Sequence, residues 1–168
     1  MAGPSLVEAE RMEVKFALSQ YLAAATNDAM RMTTGDVVWF IEDDMLVPVN
    51  ACASMLSAMM TDKEGPAAAV TGFYRSRRRP ERFLAAKVLR DRVEHLTELP
   101  VDVVNVDITG TGCLMVMRDQ APRCQALWRG VAAAHDWCFT GAMTEAGKRV
   151  LAVPSVVVPH HTTEKEWV

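Results

Sequence analysis

Five β-branched and aromatic residues, Val37-Val38-Trp39-Phe40-Ile41, run directly into three carboxylates, Glu42-Asp43-Asp44. The run has no polar alternation, so a strand made from it must be covered on both faces, which predicts a central strand in an α/β layer fold. Ligands of open α/β sheets gather at the carboxyl ends of strands, where these acids fall. On an extended backbone Glu42 and Asp44 share a face, about 6.6 Å apart along the chain, and Asp43 points the other way. Carboxylates this close repel by several kcal/mol at an effective dielectric of about 20. Two readings follow: a cation bridges Glu42 and Asp44, or the acids sit in a solvated turn.

The segments around this run alternate between helical and extended patterns, as an α/β fold requires. Ser5-Leu6-Val7-Glu8 matches a capping box, and Val14, Ala17, Leu18, Tyr21, Leu22 and Ala25 form one apolar stripe of the helix that follows. Asn50 is placed to cap a helix reaching Met60, and Asp62 to Pro66 breaks it. Strands are predicted over Ala67 to Tyr74, over a segment holding Val101, Val103 and Ile108, over Cys113 to Met117, and over Arg149 to Val158. Asp136 to Ala146 suits a helix with Gly147 as its stop. Glu81 to Leu96 carries mixed signals. With no repeat, linker or low-complexity tract, residues 1–168 read as a single domain.

Several other residues carry possible chemistry. His160 and His161, at the end of the last predicted strand, can bring imidazole to the edge that holds the acids, completing an oxygen-and-nitrogen shell suited to manganese or magnesium. A solvated pair near a terminus is the plainer alternative. Asp136 is either a helix cap or a general base for a hydroxyl, with Trp137 as an apolar wall or stacking platform. Arg75, Arg77, Arg78, Arg79 and Arg82 form a basic loop, either a solvated face or a set of guanidinium forks for a diphosphate, with Arg75 first in line after the strand. Gly110 and Gly112 mark a turn where backbone can approach a ligand closely.

Charge and cysteine content narrow the class. Eighteen basic and twenty-one acidic residues leave a net charge of −3, which provides no global field for nucleic acid or anionic lipid. The four cysteines, Cys52, Cys113, Cys124 and Cys138, form no CxxC pair and read as reduced packing residues. No apolar run approaches the roughly 20 residues of a spanning helix, and the N-terminus lacks the regions of a signal peptide, so the cytoplasm is the expected compartment.

In order and spacing, Gly35 to Met45, Thr109 to Met115, His135 to Phe139 and Pro154 to His160 resemble GT-A glycosyltransferases of the family 2-like kind, over most of residues 5–162. The resemblance is closest to glycosyltransferase-like proteins often encoded by bacteriophages. It implies a Rossmann-like GT-A fold, a single mixed sheet flanked by helices, that binds a nucleotide-sugar donor of the UDP- or GDP-sugar class. Glu42-Asp43-Asp44 then corresponds to the DXD element: Asp44 binds the metal, and Glu42, standing where an aspartate is usual, lies toward the metal or the ribose. Gly110 to Gly112 resembles the acceptor-side glycine turn, Asp136 the catalytic carboxylate, and His160 the C-terminal metal histidine, with His161 as its alternative. Such enzymes open with a strand and loop that hold the nucleotide base, and none precedes Ser5. The chain is therefore expected to be truncated at its N-terminus, with Arg11 resembling an arginine that follows the nucleotide-binding part.

The expected activity is metal-dependent transfer of a glycosyl group from a nucleoside diphosphate sugar to an acceptor hydroxyl. Two alternatives stand beside it. One is nucleotidyl transfer to a sugar phosphate, which would normally show an N-terminal glycine-rich loop. The other is a non-catalytic carbohydrate-binding or assembly domain that keeps the fold.

Overall fold

Alternation along three strands divides the core into two layers. In β2 (Ala69–Phe73), β7 (Cys113–Met117) and β10 (Val150–Val157), the residues Ala69, Phe73, Leu114, Val116, Val150 and Ala152 join one buried cluster. Their neighbours Val70, Cys113, Met115, Leu151 and Val153 join the other. Period-two alternation with both faces apolar demands a cover on each side. Helix α2 (Ala51–Thr61) supplies Ala51, Met55 and Met59 to the second cluster, while α3 (His135–Glu145) supplies Phe139 and Met143 to the first. These assignments come from a computed structural model that describes residues 20–90, 92–125, 127–128, 131–132 and 134–161. The capping box, Arg11 and the first half of the predicted stripe lie outside the described residues.

The five-stranded sheet has the order β1-β7-β2-β10-β5, with β1 at Val37–Ile41 and β5 at Val104–Val106. Among the described residues β2 and β10 pair in parallel and the other pairs of this sheet are antiparallel, so the sheet is mixed. A three-stranded sheet, β4 (Val93–His95), β3 (Ala85–Val88) and β6 (Ile108–Thr109), lies beside it, and a two-residue hairpin, β8 (Leu127–Trp128) with β9 (Val131–Ala132), precedes α3. The segment 81–96, ambiguous in sequence, thus holds a short antiparallel pair. The strand expected around Val101 to Ile108 is two strands in different sheets.

Two expectations are corrected. The run Val37–Ile41 is not central: among the described residues β1 pairs with β7 alone, and Val38 is its one buried residue. Its two-faced apolarity has another cause. Phe40 packs on the first cluster, meeting Phe139 edge-on at 6.2 Å, while Val37 and Trp39 pack on the second. An apolar pattern on both faces reports layers above and below a strand, and says nothing of strands beside it. The second correction concerns helix α1, described over residues 20–32, where Tyr21 is exposed and Ala23 and Thr26 face the core. Thr26 passes as an interior residue because its hydroxyl donates to the Leu22 carbonyl at 2.9 Å. Asn27 fixes this helix by a reciprocal amide pair with the Cys124 backbone, at 2.9 and 2.8 Å.

Helix boundaries follow local chemistry. Asn50 stands at the N-cap of α2, as expected, but its side chain makes no capping bond. Gly147, at φ +73°, ends α3 in the left-handed region that favours glycine. Strand β10 is irregular: Val153 pairs with Gly72, and the next pairing is Val157 with Phe73. Pro154 falls inside this bulge, where its missing N–H costs no ladder bond.

Gly72 makes the bulge possible. A Cβ there would lie 3.0 Å from methyls of Val156 and Val158 and 3.1 Å from the Val156 carbonyl oxygen. Gly72→Ala should therefore destabilise the fold by about 1–3 kcal/mol through overpacking. A lowered urea midpoint with an unchanged denaturant slope would show it.

Candidate active site

The acids do not continue the strand. β1 ends at Ile41, and the Met45 N–H donates to the Glu42 carbonyl at 3.1 Å, closing a turn over residues 42–45. The turn, rather than an extended backbone, brings Glu42 and Asp44 together and leaves Asp43 exposed at its corner. Opposite it, the end of β10 returns. Met45 bridges His160 in antiparallel fashion, the Leu46 N–H donates to the Pro159 carbonyl at 3.0 Å, and the His161 N–H donates to the Asp44 carbonyl at 2.9 Å.

This backbone pairing sets His160 beside the turn. Oxygens of Glu42 and Asp44 and a ring nitrogen of His160 lie within 4.8 Å of one another. His160 is buried, and its Nδ1 is 2.9 Å from the Arg75 carbonyl, an arrangement that puts the ring proton on Nδ1 and the lone pair on Nε2. That Nε2 is 3.6 Å from Asp44 Oδ2. Asp44 Oδ1 is buried with no hydrogen-bond partner. A buried carboxylate oxygen left unsatisfied is costly, and a cation at this point would relieve it. Two carboxylates, a correctly oriented imidazole and an orphaned oxygen together fit a divalent metal. His161, in contrast, is exposed.

The other candidates fall around this cluster. Glu42 Oε1 accepts a hydrogen bond from the Thr111 hydroxyl at 3.0 Å, and the Glu42 N–H donates to the Gly112 carbonyl at 3.0 Å. The glycine turn is thereby tied to the acids. Protein side chains occupy the space the two glycines leave. A Cβ on Gly110 would sit 2.4 Å from the Tyr74 hydroxyl oxygen and 3.2 Å from Asp136 Oδ2, and one on Gly112 would sit 2.1 Å from Met45 Cε. Tyr74 is the buried post between these parts. Its hydroxyl oxygen accepts from the Gly112 N–H at 3.0 Å, and its ring meets that of His160 at 5.9 Å, nearly perpendicular. Burial first, then the charges of Asp136 and Glu42, hold its hydroxyl well above its ordinary pKa.

Asp136 lies in the first turn of α3, but the N-cap position is Ala134, so Asp136 is not the cap. Its Oδ1 accepts from the Trp137 N–H at 2.8 Å, and its Oδ2 lies against Gly110. Helix α3 is held to the turn by Thr140, whose hydroxyl accepts from the Thr109 N–H at 3.0 Å and donates to the Asp136 carbonyl at 3.0 Å. Desolvation, reinforced by Glu42 and opposed by the Trp137 N–H, raises the Asp136 carboxyl to about 7. Trp137 packs against the ring of His95 at 5.5 Å.

The arginine at the cluster is Arg77, not Arg75. Arg75 donates to the Pro80 carbonyl at 2.7 Å and lies 4.5 Å over the Phe83 ring. Arg77 contacts Asp44 Oδ2 through Nη2 and donates from Nε to His160 Nε2 at 2.8 Å. Tyr74 and Thr111 are likewise neighbours of the site that no linear pattern marks, because each is defined by what crosses it in space.

The fold is thus α/β with a mixed central sheet flanked by helices, and it is GT-A-like. It superposes on the crystal structure of A197 from STIV with a TM-score of 0.62 and 15% sequence identity, over 88% of this chain and 74% of that one. No curated protein matches the sequence. Residues 15–120 match Glycosyl transferase family 2, and the chain belongs to that family. Membership supports glycosyl transfer in general, with binding of a nucleotide-sugar donor and an acceptor. Among the described residues no helix is long and apolar enough to cross a membrane.

The raised carboxyl of Asp136 has a stability consequence of definite sign. Between its ordinary value of 3.8 and about 7, the unfolded chain has released a proton that the folded chain keeps. The folded form therefore loses stability from this group as pH rises through that window, and the loss is complete above it. Asp136→Asn removes the titration while keeping the acceptor for the Trp137 N–H. The melting temperature of the variant relative to wild type should climb from pH 4 to about pH 7 and level off beyond. A pH-independent difference would show that Asp136 titrates as an ordinary carboxylate.

Proposed function

We propose that this chain transfers a glycosyl group from a nucleoside diphosphate sugar to an acceptor hydroxyl, with Glu42, Asp44 and His160 holding manganese or magnesium and Asp136 acting as general base. The observation that carries the reading is the convergence of two carboxylates and one oriented imidazole within 4.8 Å, joined through Tyr74 and the Gly110–Gly112 turn to a carboxylate raised to about 7. A divalent cation held there supplies positive charge toward the diphosphate leaving group.

The protein's own groups account for the remaining requirements. Asp136 Oδ1 is committed to the Trp137 N–H, so Oδ2 takes the acceptor proton as the acceptor oxygen attacks the anomeric carbon and the bond to the diphosphate breaks. A base poised at about 7 matches neutral conditions better than an ordinary aspartate does. Thr111 orients Glu42, and the Arg75 carbonyl orients His160, so both side chains are aimed before anything binds. Arg75, whose guanidinium is held by Pro80 and Phe83, serves through its backbone. Trp137, partly exposed beside Asp136, offers a face for a sugar ring. Asp43, at the corner of the turn, faces solvent on the donor side in this reading.

Two substitutions test the scheme. Asp44→Ala should abolish the mutual enhancement of manganese and nucleoside diphosphate binding in calorimetry while the protein stays folded. Unchanged coupling in a folded variant would remove Asp44 from the site. Asp136→Asn should keep donor binding yet lower single-turnover transfer by about a hundredfold or more. Near-normal transfer by this variant would mean that Asp136 is not the base.

A further inference from the structure

The guanidinium of Arg77 engages the His160 nitrogen that a metal would use and the Asp44 carboxylate beside it. Its Nε donates to His160 Nε2 at 2.8 Å, and its Nη2 contacts Asp44 Oδ2. A lone pair that accepts an N–H cannot at the same time ligate a cation. A dication beside a guanidinium on one carboxylate oxygen is also opposed by like-charge repulsion. Arg77 in this position and a divalent cation on His160 Nε2 therefore exclude one another, and their charges compete for the same Asp44 carboxylate.

The loop that carries Arg77 is built to let the side chain leave without unfolding. Its base is closed by the Arg75–Phe83 bridge and by the Ser76 N–H donating to the Arg82 carbonyl at 2.9 Å, and the Arg75 guanidinium reaches across it to Pro80. Arg77 itself has 44% of its side chain exposed, against 18% for Asp44 and 5% for His160. The loop backbone and the two acceptors stay fixed, while the arginine can swing into solvent at small cost in burial.

Resting on the metal-site reading above, we propose that Arg77 is a tethered counter-cation. It neutralises Asp44 and caps His160 before metal arrives, is displaced by the divalent cation, and then turns to the diphosphate of the donor. The residue thereby acts in two directions: it weakens binding of the metal alone and strengthens binding of the anionic ligand once the metal is in place. A planar guanidinium suits both partners, because its fork fits carboxylate and phosphate oxygens alike. Because the arginine must leave first, the apparent metal affinity is the intrinsic affinity multiplied by the fraction of chains in which it has swung away.

Manganese binding to the full chain, measured alone by calorimetry in wild type, Arg77→Gln and Asp44→Ala, tests the idea. Nucleoside diphosphate binding is then measured at saturating manganese. Arg77→Gln should bind manganese about tenfold more tightly and the diphosphate about tenfold more weakly. Arg77→Lys, which keeps the charge but loses the fork, should give a manganese affinity between those of wild type and Arg77→Gln. A manganese affinity for Arg77→Gln equal to or below that of wild type would overturn the proposal. If Asp44→Ala abolishes manganese binding in the same series, the metal site survives and only the role of Arg77 falls. If Asp44→Ala binds manganese as wild type does, both fall.

Discussion

Three backbone contacts between the turn after β1 and the end of β10 hold the site together. Met45 bridges His160, Leu46 donates to Pro159, and His161 donates to Asp44. These contacts oblige Asp44 and His160 to meet although they are far apart in sequence. Because they are main-chain bonds, substitution of the side chains does not abolish them. The geometry of the proposed metal ligands is therefore a property of strand ends, with the side chains aimed secondarily by Thr111 and by the Arg75 carbonyl. Loops alone would place the same groups with less precision.

Tyr74 extends this rigid frame to Asp136, the proposed base. It follows β2, the strand at the middle of the sheet, and it fills the space left by two missing side chains, at Gly110 and Gly112. The ring supports His160 on one side, and the hydroxyl lies beside Asp136 and Glu42 on the other. One buried phenol thus spaces Asp136 from the cluster of Glu42, Asp44 and His160. The apolar burial that makes the post rigid also desolvates Asp136, so the positioning of this carboxyl and its raised value have one physical source.

Much of the sheet could be read from the chain, because its strands are apolar runs bounded by glycine or proline. The expected segments Cys113 to Met117 and Arg149 to Val158 agree with β7 and β10 to within a residue at each end, and Asp136 to Ala146 agrees with α3 as closely. The hairpin of β3 and β4 was not readable: its strands are short, carry Lys87 and Glu94, and owe their conformation to pairing with one another and with β6. The edge position of β1 was hidden for a different reason, since apolar faces reveal the layers above and below and not lateral neighbours. At the site, residue type and position at strand and helix ends mark the acids, His160 and Asp136 as candidates. The choice of Arg77 over Arg75, and the part played by Tyr74, depend on loop closure and cross-strand packing that no linear spacing encodes.

The position of β10 in the sheet has a consequence for how the molecule is made. β10 is the last described strand in sequence, yet it lies between β2 and β5, pairing with both. A nascent chain emerging from the ribosome can form α2 and the β2–β7 pair early, but β5 has no partner in the five-stranded sheet until residues 150–157 have been synthesised. Until then the flank of β2 is an open edge, the kind of surface that chaperones guard against aggregation. Pairings this distant in sequence are slow to close, so completion of the sheet is a late event in folding. His160 arrives on the same segment, a few residues after the strand that closes the gap. Asp44 and Glu42 therefore gain His160 as a neighbour only when the sheet is whole, so the candidate site is among the last features of the fold to be completed.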